Sequence, residues 1–196
     1  MMTNSFEGTM NLDELNNMYD VPEDYTLGEY DEAREAEAAE IMEEVFPQEI
    51  VENWDDLSPE AHEQLLDEFS ARLGESLGIG PVDTVVEPMD PSTFGYTDGN
   101  GTIHLNAEYV DTPGHLAAVL NTSAHETRHL FQQEVAAHPE DFPDLPEGLA
   151  EAWADNYVNY ISAEYDPEGY AYQPIEVDAR AYAEGVIDRY LYDMMP

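Results

Sequence analysis

The residues His125-Glu126-Thr127-Arg128-His129 are the most informative part of the sequence, and they lie within a predicted helix over residues 114–137. Positions four apart on an α-helix share one face about one turn from each other, so both imidazoles can bind one ion. A catalytic zinc ion takes three protein ligands and keeps one position for water, which leaves a third ligand to be found elsewhere in the chain. Glu126 is placed to take a proton from that water as the general base.

The residues around the motif predict a long, buried helix. Thr112 can cap it and Pro113 suits its first position, about three turns before the histidines. An apolar stripe would bury one side of the helix, formed by Leu116, Val119, Leu120 and Ala124. The alternative is a solvated amphipathic helix whose histidines only pair with acidic residues.

Composition excludes several classes of site. A chain of 196 residues is expected to form one domain. It has no cysteine, so any metal must be held by histidine and carboxylate. No run approaches the roughly 18 apolar residues of a membrane helix, and the first residues lack the features of a secretory signal. The sequence therefore predicts a cytoplasmic protein or one exported by a non-classical route.

The chain is strongly acidic, with 45 acidic residues against five arginines and a formal net charge of −40. Lysine is absent. Such a field repels nucleic-acid backbones and anionic lipids, so we expect neither nucleic acid nor membrane as a partner. It suits hydration in high salt, a basic partner or substrate, or a protein that imitates DNA.

Changes in character along the chain predict three parts. Residues 1–28 show no sustained period and are interpreted as a flexible acidic arm. Residues 29–57 form an acidic helical segment whose charges mostly face solvent. The main domain, residues 58–196, opens with a helix capped by Ser58 and begun by Pro59. His62 in the first turn of that helix is predicted to lie on the surface.

Three short strands are predicted between the first helix of the main domain and the motif helix, around residues 81–86, 94–97 and 102–106. Residues 98–101, Asp-Gly-Asn-Gly, are a strong hairpin signal. We predict a mostly helical α+β fold with a small antiparallel sheet. Residues 102–106 would form its edge, where an extended peptide can pair. His104 on this strand is a candidate for the rim of the cleft.

Two downstream carboxylates compete as the third metal ligand. Glu147 lies in Pro146-Glu147-Gly148-Leu149-Ala150, and Glu176 lies in Gln173-Pro174-Ile175-Glu176-Val177-Asp178-Ala179. Each opens a predicted helix that could pack against the motif helix. Spacing alone leaves both open.

From about Phe94 to Val186 the chain resembles the minimal zincin metallopeptidases of the gluzincin kind, found in bacteria, phage and toxin-type modules. The similarity rests on the strand before the His-Glu-x-x-His helix, a tyrosine-rich segment and the Gln-Pro-x-Glu-x-Asp-Ala run. It implies a zincin-like metallopeptidase domain over residues 58–196, with Glu176 as the zinc ligand. Glu147 stays an alternative, because its own run resembles the Asn-Glu-Gly helix of aminopeptidase-like gluzincins.

The motif and the resemblance together predict a zinc-dependent endopeptidase. Zinc bound by His125, His129 and Glu176 would activate water and polarise the scissile carbonyl, with Glu126 moving the proton to the leaving amine. The substrate would be a peptide or protein, basic in character. The alternative is a non-catalytic acidic interaction protein, an inhibitor or DNA mimic on a zincin scaffold.

Other residues are expected to support the metal site. Asp178 lies about 200° around its helix from Glu176, so it is expected to hold a histidine N–H or an arginine beside the ligands. Arg180 is expected near the site or in packing. Candidate donors to the oxyanion or the substrate are His104, Tyr157, Tyr160, Tyr170 and Tyr172.

Overall fold

The computed structural model describes residues 31–194, so the predicted arm at residues 1–28 lies outside the described residues. The helices are α1 (Glu32–Val45), α2 (Gln48–Asn53), α3 (Pro59–Ser76), α4 (Ala107–Val110), α5 (Leu116–Ala137), α6 (Leu149–Val158), α7 (Pro167–Tyr172) and α8 (Pro174–Met194). The strands are β1 (Asp83–Glu87), β2 (Gly95–Thr97) and β3 (Thr102–Asn106). The predicted α+β class is confirmed. Between residues 31 and 194, no helix combines the length and apolar character needed to cross a membrane.

The three strands form a mixed sheet, so the predicted purely antiparallel sheet was wrong. β3 lies in the centre, parallel to β1 and antiparallel to β2, with His104 opposite both Val85 and Tyr96. Residues 102–106 are therefore not the edge, because β1 covers their other side. The edge strand that borders α5 is β2, and the predicted turn at residues 98–101 joins it to β3.

The motif helix α5 begins at Leu116, later than predicted. Gly114 has a φ of 81°, a left-handed conformation that does not continue into a right-handed helix. The Thr112 hydroxyl donates to the Glu108 carbonyl of α4 and does not cap α5. The apolar stripe is buried as expected at Val119, Leu120 and Ala124. The motif therefore lies in the middle of a helix that passes through the core.

One cluster of buried apolar side chains connects the described helices with the sheet. α5 and α8 pack along each other, and α1 packs against α8. Ala38, Met42 and Val45 of α1 belong to this cluster. Residues 32–57 thus share one hydrophobic core with the chain that follows them.

The start of α3 agrees with the prediction, but the position of His62 does not. Ser58 Oγ accepts a hydrogen bond from the Ala61 N–H at 3.3 Å. His62 is buried, because the turn after α2 places Trp54 against it with ring centroids 4.1 Å apart. Its Nε2 donates to the Trp54 carbonyl at 2.9 Å. The acidic neighbours in sequence gave no sign of this contact.

Candidate metal centre and cleft

α5 and α8 place three ligand atoms around one point. His125 and His129 lie one turn apart on α5, and their Nε2 atoms are 3.0 Å apart. Glu176, in the first turn of α8, lies 3.5 Å from each of these nitrogens, through Oε2 and Oε1 respectively. Tetrahedral zinc with bonds of about 2.0–2.2 Å needs ligand atoms roughly 3.3–3.6 Å apart. The three side chains therefore have a spacing close to that of a zinc site.

The surroundings of Glu176 suit a bound cation. Its side chain is 3% exposed, and its Oε2 has no hydrogen-bond partner among the described residues. Burial raises the pKa of this carboxyl, but His125 and His129 outweigh burial and hold the pKa well below its usual range. A buried carboxylate is costly unless a cation compensates it. A metal ion at this point fits the donor set.

His129 is oriented by Gln132 on the next turn of α5. The Nδ1 atom lies 2.9 Å from Gln132 Oε1, and because an amide oxygen only accepts, Nδ1 carries a proton and Nε2 faces the ligand point. Burial lowers the pKa of His129, whereas Glu176 and Glu126 raise it, to about 9. Near neutral pH a metal ion must therefore displace a proton from this ring.

A buried polar network lies beneath the ligands. Gln132 Nε2 donates to Asp178 Oδ2 at 2.7 Å and to the Ile175 carbonyl at 2.9 Å. Arg128 donates to both oxygens of Asp178 at 2.8 and 3.1 Å, and it also pairs with Asp31. Asp178 thus holds an arginine, one of its two expected contacts. The network ties the motif helix to α8 and to the start of α1.

A cleft of about 460 Å³ opens at the ligands. It is lined by Glu126, His129 and Glu176, by the edge strand β2, and by tyrosines from the chain after α5. Gly95 allows β2 to approach α5 closely, since a Cβ at this position would lie 2.9 Å from Thr122 Cγ2. Glu126, two of the candidate ligands and the edge of β2 therefore face one space.

The comparisons with known proteins add no relative. No family model, no curated protein and no solved structure matches the chain. The resemblance to zincins thus rests on the sequence motifs, and the metal site rests on its geometry.

Three of the candidate tyrosines line the cleft, and their hydroxyls differ in environment. The Tyr157 hydroxyl donates to the His129 carbonyl at 3.1 Å and is engaged with α5. Burial raises the pKa of Tyr160 to about 12, and burial followed by the charge of Glu176 raises the pKa of Tyr170 further. Tyr160 and Tyr170 therefore stay protonated, and their hydroxyls can donate hydrogen bonds into the cleft.

Glu147 does not join the ligands. It is exposed in the turn before α6, and the group of described residues able to hold a metal contains Glu176 instead. The sequence predicted that Pro146 opens a helix that carries Glu147. Gly148 has a φ of 85°, so α6 begins only at Leu149 and leaves Glu147 outside it.

Three further candidates lie outside the cleft lining. His104 stacks on Tyr96 with the rings 4.6 Å apart, so it supports a cleft residue without lining the cleft itself. Arg180 donates to a backbone carbonyl of α7 and serves packing. Tyr172 packs against the hydrophobic core.

Sequence reasoning overlooked two residues of the site. Gln132 was not assigned to the site from the sequence, although its position three residues beyond His129 puts both on one helix face. Tyr96 lines the cleft from β2. Its position there could be predicted only if β2 had been recognised as the edge strand.

Proposed function

We propose that the protein is a zinc-dependent endopeptidase. The observation that carries this proposal is the convergence of His125, His129 and Glu176, whose ligand atoms lie within 4.8 Å of one another beside Glu126. Three protein ligands leave a fourth position for water, which is the arrangement of catalytic zinc sites.

Each part of the cleft has a role in peptide hydrolysis. His125, His129 and Glu176 would hold a zinc ion, which would supply a Lewis acid to activate water and polarise the scissile carbonyl. Glu126 takes the proton of the water and delivers it to the leaving amine. Tyr160 and Tyr170 donate hydrogen bonds to the developing oxyanion.

The edge strand favours a peptide as the substrate. β2 pairs with β3 along one side and borders the cleft with the other. An unpaired edge presents backbone N–H and C=O groups that an extended peptide can pair with. The scissile bond of such a peptide would lie across the ligands.

The test compares the wild-type protein with Glu126→Gln. Zinc content is measured for each, and the cleavage of a peptide library is followed by mass spectrometry. We expect the wild-type protein to bind one zinc ion per chain and to cleave peptides. Glu126→Gln should keep the zinc and lose roughly 100-fold or more in rate, because proton transfer is lost. Glu147→Gln removes an exposed carboxylate and should change neither property. Undiminished cleavage by Glu126→Gln would rule the mechanism out.

A further inference from the structure

A second cavity, of about 430 Å³, adjoins the cleft. It is enclosed by the loop between α3 and β1, by the turn between β2 and β3, and by the C-terminal half of α5. Gln133 lines both spaces, so the cleft and the second cavity meet at this side chain. The walls combine apolar Ile79, Val82 and Leu130 with polar Asn100 and Glu134.

The position of the second cavity along α5 fixes its distance from the ligands. Glu134 and Ala137 follow His129 by five and eight residues, which corresponds to about 8–12 Å along a helix. An extended peptide advances about 3.3 Å per residue. A side chain two to four residues from the scissile bond therefore reaches the cavity. In a peptide antiparallel to β2, that residue lies on the N-terminal side of the bond.

Among the described residues that line the second cavity, Glu134 is the one with a charged side chain. The chain has no lysine, and none of its five arginines lines the cleft or the second cavity. The arginines are all bonded elsewhere, to Asp31 and Asp144, Glu44, Asp178, the Ala171 carbonyl and Glu35. With a net charge of −40, this field attracts cationic peptides and repels acidic ones.

We propose that the second cavity is a subsite for a lysine or arginine side chain, so that the protein cleaves basic peptides. This inference rests on the proposed function. The aliphatic stem would pack on Val82 and Leu130 while the cation reaches Glu134, as long basic side chains do at apolar surfaces with a polar end. His138 Nε2 lies 4.0 Å from the Glu134 carboxylate, which leaves that carboxylate able to accept a closer partner.

The first test aligns the cleaved peptides of a library at their scissile bonds. We expect lysine and arginine to be enriched at one position two to four residues from the bond. For the best arginine peptide, Glu134→Gln should lower kcat/KM about two- to fivefold, the range of an exposed ion pair. The same peptide with norleucine in place of arginine should be cleaved equally by the wild-type protein and by Glu134→Gln. Glu140→Gln, an exposed acidic residue outside the cavity, is the matched control and should keep the preference.

A binding measurement separates this inference from the proposed function. Fluorescein-labelled peptides that differ only in one arginine or norleucine are titrated against Glu126→Gln and against Glu126→Gln with Glu134→Gln. The arginine peptide should bind more tightly to the first protein alone, and salt should weaken the difference. Cleavage with no basic preference, or a preference that survives Glu134→Gln in both assays, would overturn the subsite and leave the peptidase standing. A wild-type protein that binds zinc and cleaves nothing would instead overturn the function.

Discussion

Four acidic side chains in the described part of the chain are buried, and they meet two kinds of partner. Three of them pair with arginine, and these are Asp31, Asp178 and Glu35. The fourth, Glu176, faces the imidazoles of His125 and His129. A buried carboxylate needs a cation to offset its desolvation. The chain thus offsets three of these carboxylates with permanently charged arginines and the fourth with imidazoles, whose charge depends on pH.

The largest effect should come from removing the cation of the arginine-paired group. Arg128→Met removes the guanidinium that buried Asp178 and Asp31 share, and Asp31 keeps Arg34, so the free energy of unfolding should fall by about 3–5 kcal/mol, chiefly through Asp178. Urea unfolding followed by circular dichroism measures the change.

Arg72→Met is the control for Arg128→Met, because Arg72 pairs with the exposed Glu44. Its loss should stay within about 1 kcal/mol. Equal losses for the two variants would show that the buried pairs contribute no more than a surface pair does.

The next effect concerns Glu176, the buried carboxylate that faces two histidines. Zinc at a free concentration 100 times its Kd should stabilise the protein by about 2.7 kcal/mol relative to protein in chelator. Glu176→Gln should fold but lose most of this gain, because a ligand is missing, whereas Glu147→Gln should retain it. Thermal unfolding with and without zinc gives the result. A full gain in Glu176→Gln would remove Glu176 from the ligands.

A smaller effect is expected from Gln132, whose amide group contacts both His129 and Asp178. Gln132→Ala removes the acceptor that orients His129, so zinc affinity should fall about 10–100-fold. Competition with a chromophoric chelator measures it. Gln133→Ala, the adjacent residue in the cleft lining, should leave the affinity nearly unchanged. Similar losses in both variants would argue against a specific role of Gln132.

The smallest effect is a dependence of zinc affinity on pH. It comes from the titration of His129, whereas the arginines that pair with the other buried acids do not titrate in this range. The pKa of His129 in the metal-free protein is raised to about 9, so zinc binding below that pH must release its proton. Between pH 7 and pH 8 the zinc affinity should rise about tenfold. An affinity independent of pH over this range would contradict the raised pKa.

Local pattern predicted the parts of the site that lie on one helix. Residues four apart on α5 must share a face, so the spacing of His125 and His129 needed no tertiary information. The hairpin between β2 and β3 was equally local, because its turn residues specify it. Glu176 depended on the resemblance, since helix packing could have brought either carboxylate to the histidines.

The features that sequence did not predict involve distant parts of the chain. The parallel pairing of β1 with β3 joins strands that are not consecutive, and no local pattern reports it. Asp31 and Arg128 form an ion pair although they lie far apart in the sequence. His62 was misplaced because its burial depends on Trp54, which lies in a separate turn. Each of these features depends on how helices and strands pack against each other, and the local periodicity of the sequence does not report that packing.

The place of α1 in the core limits how the protein can be regulated. Met42 is fully buried, and Asp31 meets the arginine beneath the metal ligands. Proteolytic processing within or after this helix would remove core side chains and expose that arginine. A zymogen mechanism that discards residues 32–57 would therefore remove part of the core that supports the candidate metal centre.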